Sequence, residues 1–177
     1  MILELNIMKN LSEKIKINSN PTECASWIQR LVEKGNTIAI TSMYANPIHP
    51  GHIECLELSK EYAFELWVIV NNDRQAELKR GVPSFQDEEY RKTVVESIKY
   101  VDRAIISIDQ DSTVCKSIEM VYNRIKEIYP NANVIFTKGG DRFAGEIPER
   151  EVCDRLGIKI VDGLGEKTHS SSNIIKQ

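Results

Sequence analysis

The run Leu66-Trp67-Val68-Ile69-Val70 has no polar position, so as a strand it must be covered on both faces, as in a parallel sheet between helices. Thr37-Ile38-Ala39-Ile40-Thr41, Ala104-Ile105-Ile106-Ser107-Ile108, Val134-Ile135-Phe136 and Ile158-Lys159-Ile160-Val161 read as further strands. Helical spacing fills the intervals. Ile53, Leu56 and Ala63 share one face, then Tyr90, Val94, Val95 and Ile98. A longer stripe follows over Val114, Ile118, Val121, Ile125 and Ile128, closed by Pro130. A short helix is expected near Pro148 to Leu156. The polar stretch Asn71 to Ser84, broken by Gly81 and Pro83, reads as a loop. Strands alternating with helices imply right-handed crossovers and an open parallel sheet, whose ligands bind beyond the carboxyl ends of the strands.

Residues 36–177 are thus expected to form one domain, and residues 1–35 a helical extension. In that extension Asn20 stands as a cap, Pro21 at the first helical position, and Cys24, Trp27, Ile28 and Leu31 as an apolar stripe. With 41% hydrophobic and 28% charged residues the chain has the composition of a globular protein. A net charge of -3 supplies no general field for nucleic acid or an anionic membrane, so an anionic ligand must be held by local groups. The cysteines form no CxxC pair, no leader is expected, and no apolar run approaches the length of a membrane span. A cytoplasmic protein is expected.

Two of the three histidines fall in Asn46-Pro47-Ile48-His49-Pro50-Gly51-His52, where the first strand gives way to a helix. A helix start offers unpaired N–H groups and a positive dipole end, which suits phosphate. Imidazoles there can donate to phosphate oxygens, and Gly51 lets backbone come close. In-line attack on an α-phosphate needs positioned donors and no covalent protein intermediate. The same segment also carries the spacing His49-x-x-His52-x-x-Cys55, a zinc alternative whose first turn Pro50 and Gly51 interrupt. Ordinary loop histidines are the third reading.

Strand, polar loop, Asn-Pro-Ile-His-Pro-Gly-His and helix together resemble the HxGH signature of the cytidylyltransferase-like nucleotidyltransferase superfamily. The likeness runs from about Thr37 to Ile175 and is greatest to glycerol-3-phosphate cytidylyltransferases and heptose-1-phosphate adenylyltransferases. It implies a Rossmann-like α/β fold with a five-stranded parallel sheet of order 3-2-1-4-5. It implies that His49, His52 and Lys79 are catalytic. Thr41, Ser42, Met43, Tyr44, Asn46 and Gly51 would line the nucleotide, with Gly139 and Asp141 after the fourth strand. His169, Ser170, Ser171 and Ser172 would hold the triphosphate, the serines also capping a helix. The acceptor would meet Asp73, Arg91, Asp102, Lys138, Gly140 and Arg142.

Ala45 stands where the family often has an aromatic residue, and Met43 where glycine is frequent. The Arg-Thr-x-Gly-Ile-Ser form of the last motif is absent, which leaves the base open. The expected reaction transfers CMP or AMP from CTP or ATP to a small alcohol or sugar phosphate and releases pyrophosphate. Mg²⁺ would accompany the triphosphate and no resident metal is expected. Neither nucleic acid nor membrane is an expected partner, whereas a homodimer is. Two other readings stay open: adenylyl transfer to a cofactor precursor of the mononucleotide or phosphopantetheine type, and a non-catalytic nucleotide-binding protein of the same fold.

Overall fold

The computed structural model describes residues 34–139 and 147–165. The expected N-terminal helix, the segment Gly140-Asp141-Arg142 and the stretch His169 to Ser172 lie outside the described residues. The chain forms β1 (Thr37–Met43), α1 (Pro50–Glu61), β2 (Glu65–Val70), α2 (Asp73–Arg80), α3 (Glu88–Glu96), β3 (Arg103–Ile106), α4 (Cys115–Ile128), β4 (Asn133–Gly139), α5 (Arg150–Leu156) and β5 (Lys159–Leu164). All strand pairs are parallel and the order is β3-β2-β1-β4-β5, as expected for a Rossmann-like sheet.

Alternation along β1 divides the core between the two faces. Ile38 and Ile40 join Trp67, Ile69, Val134 and Phe136 beneath Ile118, Val121 and Ile125 of α4. Ala39 and Met43 face the other way, with Leu66, Val68 and Val70, against Leu56 of α1 and Val95 of α3. Both faces of β2 are therefore dry, and Leu66 to Val70 are at most 2% exposed. Met43 pairs with Val70 at the carboxyl end, so the loops after β1 and β2 leave the sheet side by side. The Asn71 amide donates to Met43 O at 3.0 Å and ties them together.

The expected loop from Asn71 to Ser84 contains a helix, and this corrects the sequence reading. α2 has almost no apolar stripe, and its buried residues are Gln75 and Ala76. Its ends hold it instead. Asn72 Oδ1 accepts from the Gln75 amide at 2.9 Å, while Gln75 Oε1 accepts from the Asn72 amide at 3.1 Å. Gly81 closes the helix at φ +73°, a backbone that glycine adopts without steric cost.

Three smaller expectations also shift. β3 stops at Ile106, because Ser107 and Asp109 turn away to serve α4, and Ile108 is left exposed. Tyr90 is exposed on α3, whose inward residues are Arg91 and Val95. Lys138 and Gly139 belong to β4 itself rather than to a loop beyond it.

Candidate active site

Helix N-termini are the natural anion sites of this architecture, and most of them are already occupied by the protein's own groups. α2 has its capping box and Asp73, and α3 is capped by Asp87 with Glu88 and Glu89 in the first turn. At α4 the buried Asp109 carboxylate accepts from the Lys116 and Ser117 amides, both at 2.9 Å. α5 carries Glu149 and Glu151. α1 differs: its cap is His49, with no side-chain cap bond and no acidic residue in the first turn. Among the described helices it is the one whose positive end keeps no carboxylate or capping side chain of its own.

Over that end the rings of His49 and His52 lie stacked, with centroids 3.7 Å apart and planes inclined by 22°. His49 is extended, at φ -149° and ψ 166°, and its carbonyl accepts from the His52 amide at 2.9 Å. Gly51 makes room for the pair, since a Cβ there would meet the His49 ring at 3.3 Å. The glycine thus serves the imidazole, where the sequence suggested close approach to phosphate. Burial, then His49, then the Lys79 ammonium lower the His52 pKa from 6.5 to about 3. His52 is therefore neutral at pH 7, able to donate one N–H. Its Nδ1 and the Asn46 Oδ1 are buried with no hydrogen-bond partner among the described residues. Lys79 reaches the same place from α2, its Nζ 3.9 Å from the centre of the Tyr44 ring. Sequence positions 44, 46, 49, 52 and 79 are thereby gathered at the carboxyl mouth of the sheet.

The remaining expected residues separate into several groups. Ser42 stays at the mouth on the α4 and α5 side, accepting from Lys138 Nζ at 3.0 Å. Lys138 is itself buried, 3.8 Å from the buried Glu149 carboxylate. Nothing in the sequence distinguished Glu149 from a solvated surface charge. Thr41, by contrast, is 1% exposed and donates to Thr137 O at 2.9 Å, so its side chain fastens β1 to β4. The Met43 side chain is buried in the core. Gly139 answers to packing, because a Cβ there would lie 2.6 Å from Cys55 Sγ and 3.0 Å from Leu164 O.

Two acceptor expectations are corrected. Asp102 sits at the amino end of the sheet, accepting from the Leu66 amide at 2.7 Å and from Lys60 Nζ at 2.5 Å. Leu66 and Val70 mark opposite ends of β2, so roughly 13 Å of strand separates Asp102 from the histidine loop. Arg91 is 1% exposed and its guanidinium is engaged by protein oxygens, including Asp73 Oδ1 at 2.7 Å. It is not presented to a ligand.

Cys55 lies packed under Gly139, and burial raises its thiol pKa. It makes no metal group with His49 and His52: among the described residues no three His, Cys, Asp or Glu side chains are grouped to hold an ion. Nor is any described helix long and apolar enough to cross a membrane.

Stacked imidazoles, with His52 neutral, and a lysine over an open helix N-terminus lie at the carboxyl mouth of a parallel sheet, where α/β domains of this kind bind their ligands. Residues 44–177 match the model of the cytidylyltransferase-like family, and the chain belongs to that family of nucleotidyltransferases. It is 31% identical over 134 residues to a FAD synthase of Methanocorpusculum labreanum, which covers 73% of this chain and 86% of that one. It is 30% identical over 113 residues to a FAD synthase of Aciduliprofundum boonei, covering 64% and 67% of the two chains. A solved lipopolysaccharide core biosynthesis protein of Thermoplasma volcanium GSS1 shares 25% identity at a TM-score of 0.56, over 73% of this chain and 97% of that one.

Proposed function

We propose that this nucleotidyltransferase transfers AMP from ATP to the phosphate of a flavin mononucleotide, giving FAD and pyrophosphate. The observation that carries this reading is the likeness to FAD synthases over 86% of one such enzyme's length, with the histidine pair and Lys79 together at the sheet's mouth. It favours the cofactor-precursor acceptor over the alcohol or sugar phosphate expected from sequence.

In the proposed step a phosphate oxygen of the mononucleotide attacks the α-phosphorus of ATP. The new P–O bond forms as the bond to the bridging oxygen of pyrophosphate breaks, and that oxygen keeps the electron pair. A phosphate oxygen is nucleophilic at neutral pH, so no strong general base is required. His49 and His52 donate N–H bonds to oxygens that gain charge in the transition state, and Lys79 neutralises part of the triphosphate. A low His52 pKa suits that work, because the ring remains a hydrogen-bond donor without passing a proton to the phosphate. Magnesium enters as part of the MgATP substrate.

The test pairs ATP or CTP with FMN, glycerol 3-phosphate or heptose 1-phosphate, and identifies products by intact mass. FAD from ATP and FMN, with stoichiometric pyrophosphate, is expected. Nucleotidyl transfer to an alcohol or sugar phosphate with none to FMN would return the acceptor to the first reading.

A further inference from the structure

Arg91 was expected at a ligand, yet it lies in the interior of the α3 side with its side chain fully buried. Its Nη1 donates to Tyr44 O at 2.8 Å and Asn71 O at 2.6 Å, its Nε to Gln86 O at 3.0 Å, and its Nη2 to Asp73 Oδ1 at 2.7 Å. These acceptors belong to three separate segments: the loop after β1, the junction of β2 with α2, and the approach to α3. A second strand of the network runs alongside. Asn46 Nδ2 donates to Ser84 Oγ at 2.7 Å, and Ser84 Oγ donates on to Gln86 O at 2.6 Å. The Asp73 amide meanwhile donates to Glu88 Oε2 at 2.8 Å.

We infer that Arg91 is a positioning residue, which locks the histidine loop to the start of α2 and so holds Lys79 against Tyr44 beside His52. The planar guanidinium suits this role. Its fixed fork reaches several carbonyls at once, which a lysine ammonium on a flexible stem cannot match. Tyr44 is the hinge of the arrangement, since Arg91 grips its carbonyl while its ring carries the Lys79 ammonium. Release of the carbonyl frees the ring, and the ammonium loses its seat. Arg91 thus acts on the phosphate site through Lys79, without touching the ligand.

The inference rests on the reading that Lys79 and the imidazoles bind the triphosphate, and a double-mutant cycle tests it. Inorganic tripolyphosphate is the probe, because it carries the charge without base or acceptor. Its dissociation constant is measured by calorimetry for the wild type, Arg91→Lys, Lys79→Met and the double variant. Each single change is expected to weaken binding about tenfold, and the double variant no further than the weaker single one. A purely structural role would lower the melting temperature of Arg91→Lys yet leave the Lys79→Met loss at full size in both backgrounds. Such additive losses, wild-type affinity in Arg91→Lys, or no probe binding by the wild type would each overturn the inference. If Arg91→Lys does not fold, Tyr44→Leu takes its place in the same cycle, since it removes the ring that seats the Lys79 ammonium and leaves Arg91 its carbonyl acceptors. Additive losses in a protein that makes FAD would sink the inference alone. Coupled losses in a protein that makes none would sink only the proposed acceptor.

Discussion

His52 carries no charge at pH 7 because its ring is buried and because His49 and Lys79 oppose a proton there. Its folded pKa of about 3 lies below the 6.5 of an unfolded histidine, so between those values the unfolded chain binds more protons. Stability from this group is complete above pH 6.5 and is lost as pH falls toward 3. Denaturant unfolding of the wild type is expected to weaken between pH 7 and pH 4.5 by on the order of 2 kcal/mol more than that of His52→Gln. Equal losses in the two proteins would place the ring in ordinary solvent contact. The same residue shows what a sequence can convey. The spacing of two histidines about Pro-Gly pointed to a phosphate site, but the low pKa arises first from the burial that the fold imposes, then from His49 and Lys79. Gly51 and Gly139 teach the converse. Gly51 was read as an opening toward phosphate and Gly139 as a nucleotide contact, and each also makes room for a side chain, the His49 ring and Cys55 Sγ.

Among the helices, the polar ends decide more than the apolar stripes. α4 was legible from its stripe, and Ile118, Val121 and Ile125 are indeed buried. Its start was not, because the group that holds it, Asp109, lies six residues earlier in the chain, beyond β3. Loss of that carboxylate leaves the Lys116 and Ser117 amides without their acceptor. Asp109→Ala is expected to cost about 3 kcal/mol in chemical denaturation, and Asp109→Asn, which retains one oxygen, less. If both variants unfolded with wild-type midpoints, the helix would not depend on this contact. α2 was missed for a related reason. Its sequence has no hydrophobic period, and its capping box, Asn72 with Gln75, is a signal that periodicity overlooks. That omission matters for function, since α2 is the element that delivers Lys79. β2 and β1, whose apolar runs leave no alternative to burial on both faces, were readable almost residue by residue.

On the scale of the whole molecule, a five-stranded parallel sheet places the loops after β1 and β2 at one end, and that end collects the histidines, Tyr44, Lys79, Ser42 and Lys138. The parallel sheet was readable from the alternation of strands and helices, and its order from the family resemblance that one motif carries. Asp102 comes just before β3, at the amino end of a parallel strand, and its place there, holding the Leu66 amide, overrides the acceptor role that the resemblance implied. The buried Lys138–Glu149 pair escaped because a charged pair without a local pattern is indistinguishable in sequence from two surface residues. The purpose we propose for these contacts is the binding of a triphosphate over the open N-terminus of α1. A crystal structure of the protein with MgATP's α,β-methylene analogue measures this directly. We expect phosphate oxygens within about 3.2 Å of ring nitrogens of His49 and His52, with the Lys79 ammonium on the same triphosphate. Phosphates seated elsewhere on the protein, out of reach of both imidazoles, would contradict it.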